Sequence, residues 1–204
     1  MMAEKEQVLV VKAASIFAHH HWLGMEEEKM AELYALVLQE AFYVDRDQAE
    51  GNPSYQQIIP YLLFRVGERY FVTERLPKSG EPRLHGEIAM GLGGHINPCD
   101  QEGADDLIMA AAKREFKEEV NYRGNLKQFR LLAILNDESS PVNQDHLGFV
   151  YLLEGDSEDI QIAEVDKLRG FFVTLAEMAA YQSRFEAWSR HVFKFIQHHA
   201  VTTA

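Results

Sequence analysis

Three stretches carry the reading: Gly93-Gly94-His95, then Asp105-Asp106, then Arg114-Glu115-Phe116-Lys117-Glu118-Glu119. Placed on a helix at about 100° per residue, the last six bring Glu115, Glu118 and Glu119 into one arc about 100° wide. Met109, Ala112, Phe116 and Val120 fall on an adjoining arc as an apolar stripe for the core, with Ile108 under the carboxylates about two turns earlier. Like charges at these spacings repel by about 0.2–0.5 kcal/mol per pair. The C-terminal end of a helix also disfavours acids. A hard divalent cation reverses the sign, because carboxylate oxygens are the ligands that magnesium and manganese select. A solvated acidic face is the plain alternative. The glycine-ended strand and loop before the helix favour the metal.

Working outward, Val8–Lys12 reads as a short strand and residues 26–43 as an amphipathic helix led by Glu26-Glu27-Glu28. Residues 45–54 are polar, with Gly51 and Pro53, and read as a loop. Residues 57–66 and 70–76 form a β-hairpin about Gly67-Glu68-Arg69. A strand over 87–92 ends at Gly93-Gly94, and the acidic helix spans about 104–120. Strands follow at 129–135, 147–153 and 171–173. A last helix covers 183–198, with Phe185, Trp188, Val192, Phe195 and Ile196 on one face. Strands mixed with packed helices place the chain in the α/β (α+β) class.

The chain has 204 residues, 47% hydrophobic and 25% charged, which is the composition of an ordinary globular protein. We expect one domain over 1–204. The 20 basic and 32 acidic residues leave a net charge of -12, which repels a polyanion, so no nucleic acid polymer is expected as partner. A small anionic substrate would need local cations. Cys99 stands alone and makes no internal disulfide. The polar, acidic N-terminus is no signal peptide, and no apolar run approaches a membrane span. A cytoplasmic protein without a membrane partner is the expectation. His19-His20-His21 reads as a polar surface turn.

The central segment resembles the Nudix box, the signature of the Nudix hydrolases. Arg114, Glu115, Phe116, Glu118, Glu119 and Tyr122 match its second half. Asp106 stands for the early glutamate, and Asn121 for the late glycine, where a left-handed turn is expected. The opening glycine would fall on Asp100, so a loop lengthened by six residues lies within His95–Asp105. The resemblance covers about 55–180, with 1–54 as an N-terminal extension and 181–204 as a C-terminal helix. Gln57-Ile58-Ile59-Pro60-Tyr61, Gly91 to Asn97 and His146-Leu147-Gly148 further resemble a bacterial Nudix subgroup, a likeness that brings no substrate with it.

The resemblance implies a Nudix-like α/β/α sandwich with a mixed sheet and added N- and C-terminal helices. It implies hydrolysis of a phosphoanhydride bond in a nucleoside diphosphate linked to another moiety, or in a related small organic pyrophosphate. Glu115, Glu118 and Glu119 would hold Mg2+, with Mn2+ as the alternative. Glu118, Glu119 and Arg114 would be the catalytic set, with Arg114 fixing Glu118 four residues on. Glu119, or Glu138 from a later loop, is the candidate base, and a plain turn residue is the competing reading of Glu138. Gly93, Gly94, His95 and Arg75 are candidate substrate contacts, with His146 and Arg83 behind them. A lone histidine is more often structural. The first 50 residues are expected to pack within the same domain or to form a dimer contact, which leaves a homodimer open. The competing function is a catalytically silent Nudix-fold module that binds nucleotide or regulates.

Overall fold

The computed structural model describes residues 5–18, 20–78 and 85–202. His19, the loop Ser79-Gly80-Glu81-Pro82 and Arg83 lie outside the described residues. In chain order the elements are β1 (Gln7–Lys12), α1 (Ala13–Phe17), β2 (Gly24–Glu26), α2 (Met30–Glu40), β3 (Phe42–Asp45) and α3 (Arg46–Ala49). The long strand β4 (Tyr55–Val66), β5 (Arg69–Arg75) and the short β6 (Ile88–Ala89) come next. The carboxylate helix is α4 (Leu107–Glu119), followed by β7 (Val120–Tyr122), β8 (Leu126–Asn136) and β9 (His146–Gly155). The chain continues through β10 (Ile160–Ile162), β11 (Leu168–Thr174), α5 (Leu175–Met178) and α6 (Ala187–Thr202).

Backbone hydrogen bonds order the main sheet β11-β5-β4-β9-β8-β2, with β1 on β3 and β4, and β6 on β5. β10 and β7 form a separate two-stranded sheet. The α/β class with a mixed sheet, expected from the sequence, is the class observed. Two compact units divide the residues. One is drawn from Met1–Tyr61, Gly94–Arg114 and Leu132–Val150, the other from Leu62–Gly93, Glu115–Leu131 and Tyr151–Ala204.

In the first unit, Val8, Leu9, Val10 and Val11 are buried on both faces of β1, as their unbroken apolar run requires. β1 pairs antiparallel with β3 from Gln7↔Asp45 to Val10↔Phe42, and with the start of β4 from Val10↔Gln57 to Lys12↔Tyr55. That pairing corrects the helix expected over 26–43. It ends at Glu40, because aromatic and β-branched Phe42-Tyr43-Val44 join the ladder beside β1. Residues 24–26 are likewise a strand, paired with β8 through Gly24↔Asn136. The loop read over 45–54 contains the short α3.

The second unit is built on the expected hairpin. β4 and β5 pair through Phe64↔Phe71 and Val66↔Arg69, and Gly67 has φ +58, which suits glycine in a tight turn. β11 continues the sheet from Leu168↔Arg75 to Thr174↔Arg69. The strand expected over 87–92 shrinks to two residues, with an isolated bridge at Leu62↔Leu92. The last helix begins at Ala187, and Phe193 is buried in place of the expected Phe195, whose ring lies tilted against that of His199 with centroids 4.2 Å apart.

We propose that the first 54 residues are inseparable from the rest of the first unit. A chain beginning at Tyr55 would leave the edge of β4 without β1 and expose Ile58 and its neighbours. We expect it to aggregate or to melt at least about 10 °C lower, on the order of 3 kcal/mol or more for a chain this size. Circular dichroism melts of the two proteins check this, and equal melting would count against it.

Candidate functional site

Asp106 starts α4. Its carboxylate accepts the N–H of Met109 at 3.0 Å, the N-cap bond that satisfies one of the helix's free donors. Tyr34 of α2 donates its hydroxyl to the same carboxylate at 2.7 and 2.8 Å. The acid in the place of the box's early glutamate is thus a helix cap. The helix ends without a left-handed residue, which corrects the expectation at Asn121. Asn121 lies inside β7, opposite Gln161 of β10, and the Glu119 carbonyl accepts the N–H of Ala163 at 2.8 Å. Strand pairing there supplies the partner that a C-terminal cap would otherwise provide.

The wheel arcs also need correction. Ile108, Ala111, Ala112, Glu115 and Phe116 are buried, while Met109 is half-buried. The buried arc therefore contains Glu115, only 6% exposed, rather than lying beside it. Phe116 anchors that part of α4 by stacking on Phe64 at 5.7 Å. Glu118 is exposed and Glu119 half-buried. The Glu119 carboxyl is held above the usual carboxylate range, first by burial, then by the charges of Glu164 and Glu118, with Arg75 opposing. Arg75 is an exposed cation at the end of β5, and Gly93 is half-buried after the bridge at Leu92. Glu164 was not legible in the sequence. It lies just past β10, with its carboxylate 2.7 Å from Lys167 Nζ.

In the first unit, Arg114 forks onto Asp100, Nε to Oδ1 at 2.6 Å and Nη2 to Oδ2 at 2.9 Å, and donates to the His95 carbonyl at 3.0 Å. Asp100 is 7% exposed and also accepts the N–H of Asn97 at 2.9 Å. It is an acid of the lengthened loop, and the sequence offered only its place in that insertion as a signal. Gly94 is half-buried. His95 bonds Gln57 Oε1 at 3.0 Å, and its ring lies 5.7 Å from that of His146. Glu138 lies 2.6 Å from His21 Nε2 and accepts from Asn136 at 3.2 Å.

Burial, then the positive charges of Arg46 and His146, lower the His95 pKa to about 4 from 6.5, while Glu6 and Glu50 oppose. A folded-state pKa below the unfolded one means that the unfolded chain takes the proton first. Stability is therefore full above about pH 6.5 and falls as pH drops toward about 4. We expect His95→Gln to flatten the fall in melting temperature across that window. A slope equal to that of the parent chain would show that His95 does not carry it.

Glu115, Glu118 and Glu119 form an all-oxygen donor set of the kind hard divalent cations take. Among the described residues, no three His, Cys, Asp or Glu side chains already converge in metal-holding geometry. Magnesium does not demand such a cage, since it keeps several waters and often binds one or two carboxylates plus substrate phosphates. Crowding of Glu119 by Glu118 and Glu164 is the feature that suits a cation. The residues fit the ion.

Tm1382, a candidate Nudix hydrolase of known crystal structure, superposes on 94% of this chain and 98% of its own with a TM-score of 0.81 at 24% identity. The chain has the Nudix fold. A second structural likeness is to the bifunctional NMN adenylyltransferase/ADP ribose pyrophosphatase of Francisella tularensis, solved with AMP and a manganese ion. It has a TM-score of 0.52 and 15% identity, over 71% of this chain and 42% of that one. In sequence the chain is 29% identical to Protein YmaB of Bacillus subtilis (strain 168) over 181 residues, 84% of this chain and 86% of the relative. No family model matches the chain. Among the described residues no helix is long and apolar enough to cross a membrane.

Proposed function

We propose that the chain is a divalent-metal-dependent hydrolase of a diphosphate linkage in a small organic diphosphate, with nucleoside diphosphate derivatives as the class its box implies. The observation that carries this reading is the carboxylate set on α4, where Glu118 and Glu164 crowd the half-buried Glu119 beside the cation of Arg75. Glu115, Glu118 and Glu119 would hold Mg2+ or Mn2+. Such an ion, when bound, neutralises phosphate charge and makes a water a better nucleophile at neutral pH. Arg75 offsets further negative charge on the phosphates. Glu119 or Glu164 takes the water's proton on a carboxylate oxygen. The new P–O bond forms as the bridging P–O bond breaks, and two phosphate products leave. Arg114 keeps the lengthened loop on the helix through Asp100.

The test is a screen of nucleoside diphosphate derivatives and simple organic diphosphates with Mg2+ and with Mn2+, followed by 31P resonance. Metal-dependent appearance of two phosphate products supports the reading. Full turnover in excess chelator would remove the metal from it. The alternative is a catalytically silent Nudix-fold module. It predicts binding without cleavage for every compound in the screen.

A further inference from the structure

Beside the end of α4, the second unit carries a groove of about 310 Å3, the lower end of the size range for small-molecule sites. Phe71, Ile160, Ile162, Val165 and Leu168 line it, along with Gly170. The first three are buried and form its floor, whereas Val165 stands 68% exposed at its rim. Gly170 lets the strand close on Phe71, since a Cβ there would lie 2.2 Å from the ring. The polar members of the lining are Gln161 and Arg169. Arg169 is engaged by Glu74 and sits over the Phe171 ring.

One turn joins this groove to the carboxylates. Ala163 bonds the Glu119 carbonyl, Glu164 acts on Glu119 through its charge, and Val165, the next residue, lines the groove. On the other side the Lys167 carbonyl accepts the N–H of Leu76 at 2.8 Å, directly after Arg75. Glu119, and Arg75 through its neighbour Leu76, are thus tied by backbone bonds to the segment that edges this apolar floor. A nucleobase or sugar laid on that floor would leave its edge donors and acceptors unpaired, which is costly. A hydrocarbon loses nothing there and gains from leaving water. Charged groups so tied to an apolar floor match a molecule with an anionic head and an apolar body.

We infer that this groove holds the apolar organic group of the substrate, a hydrocarbon-bearing diphosphate whose phosphates lie at Glu118, Glu119 and Arg75. The inference rests on the reading of α4 as a diphosphate-hydrolysing site.

The test uses the full chain with Mg2+ and calorimetry of hexyl diphosphate, ADP-ribose and inorganic pyrophosphate. Hexyl diphosphate should bind at least about tenfold tighter than pyrophosphate, on the order of two buried methylenes. ADP-ribose should show no such gain. Leu168→Asn, and Val165→Asn at its exposed site if the first fails to fold, should each cut the hexyl affinity about tenfold. Neither should move pyrophosphate. Equal affinity for hexyl diphosphate and pyrophosphate, no hexyl binding, or indifference to both variants overturns the inference. Phosphorus resonance separates the two readings. Hexyl diphosphate bound through the groove yet never cleaved to hexyl phosphate and orthophosphate overturns the hydrolase and leaves the groove. ADP-ribose cleaved by the parent while hexyl diphosphate binds no tighter than pyrophosphate overturns the groove and leaves the hydrolase.

Discussion

Glu119→Gln should leave the protein folded while turnover falls by orders of magnitude, at least about a hundredfold if a metal ligand is lost. Glutamine keeps the shape and nearly the helix propensity of glutamate and removes one charge from beside Glu118 and Glu164. Because burial and those two acids raise the folded-state pKa of Glu119, the charged form is disfavoured in the folded chain. The variant should then melt at the same temperature as the parent or higher at neutral pH without metal. That difference is full above the raised pKa and closes as pH falls through it, when the parent carboxyl takes its proton. With magnesium the order reverses. The parent gains stability by mass action and the variant gains less. Glu118→Gln should behave alike in its magnesium response. Melting temperatures of the three proteins with and without magnesium decide the matter before any substrate is known, and an identical magnesium shift in all three would favour the silent module.

Asp100→Ala should be the most damaging single change outside the apolar core. The Asp100 side chain is 2% exposed and that of Arg114 24%, so the substitution takes both forked carboxylate oxygens away from a largely buried guanidinium. Breaking a buried pair from one side costs about 3–5 kcal/mol, and the lower end suits an arginine with some access to water. In a chain of this size that is roughly a 6–12 °C fall in melting temperature. The double change Asp100→Leu with Arg114→Met should recover much of the loss, since a well-packed apolar pair can replace a buried ion pair. A single variant within about 1 °C of the parent would mean that the fork contributes little. Activity is a separate readout, because the double variant restores stability and not the arginine.

The helix α4 was legible because its apolar and acidic residues repeat at a helical period, and the hairpin because its strands flank a glycine turn. Period alone, however, says which residues share an arc and not what covers that arc. Glu115 therefore read as a surface ligand, although Ile108, Ala111 and Phe116 are buried along with it. The same limit explains Phe193 and Phe195, which lie about 160° apart around the helix, at opposite edges of its apolar face. The end of α4 and the strand β3 were missed for a different reason. Val120–Tyr122 becomes a strand because Ile160–Ile162 pairs with it, and Phe42–Asp45 because β1 does. Those partners lie some forty and thirty residues away in the chain, so tertiary pairing overrides a locally acceptable helix. Asp100 and Glu164 had no motif to announce them. Each becomes notable only when folding sets Arg114 and Glu119 beside it.

The direct passage of α4 into β7 bears on how readily the site can bind. Helix ends ordinarily fray, and side chains on the last turn then sample many positions that a ligand must suppress. Here the last turn carries Glu118 and Glu119, and its Glu119 carbonyl is tied to Ala163 at the margin of a two-stranded sheet. The disorder of that turn is removed when the chain folds, not when a ligand arrives. Binding energy can then go into holding the ligand rather than into ordering the backbone around it. The same tie makes the turn after β10 and the final turn of the helix a single mechanical part. A lengthened or shortened turn at 163–167 would retune the acidic site from forty residues downstream without altering any residue of the helix.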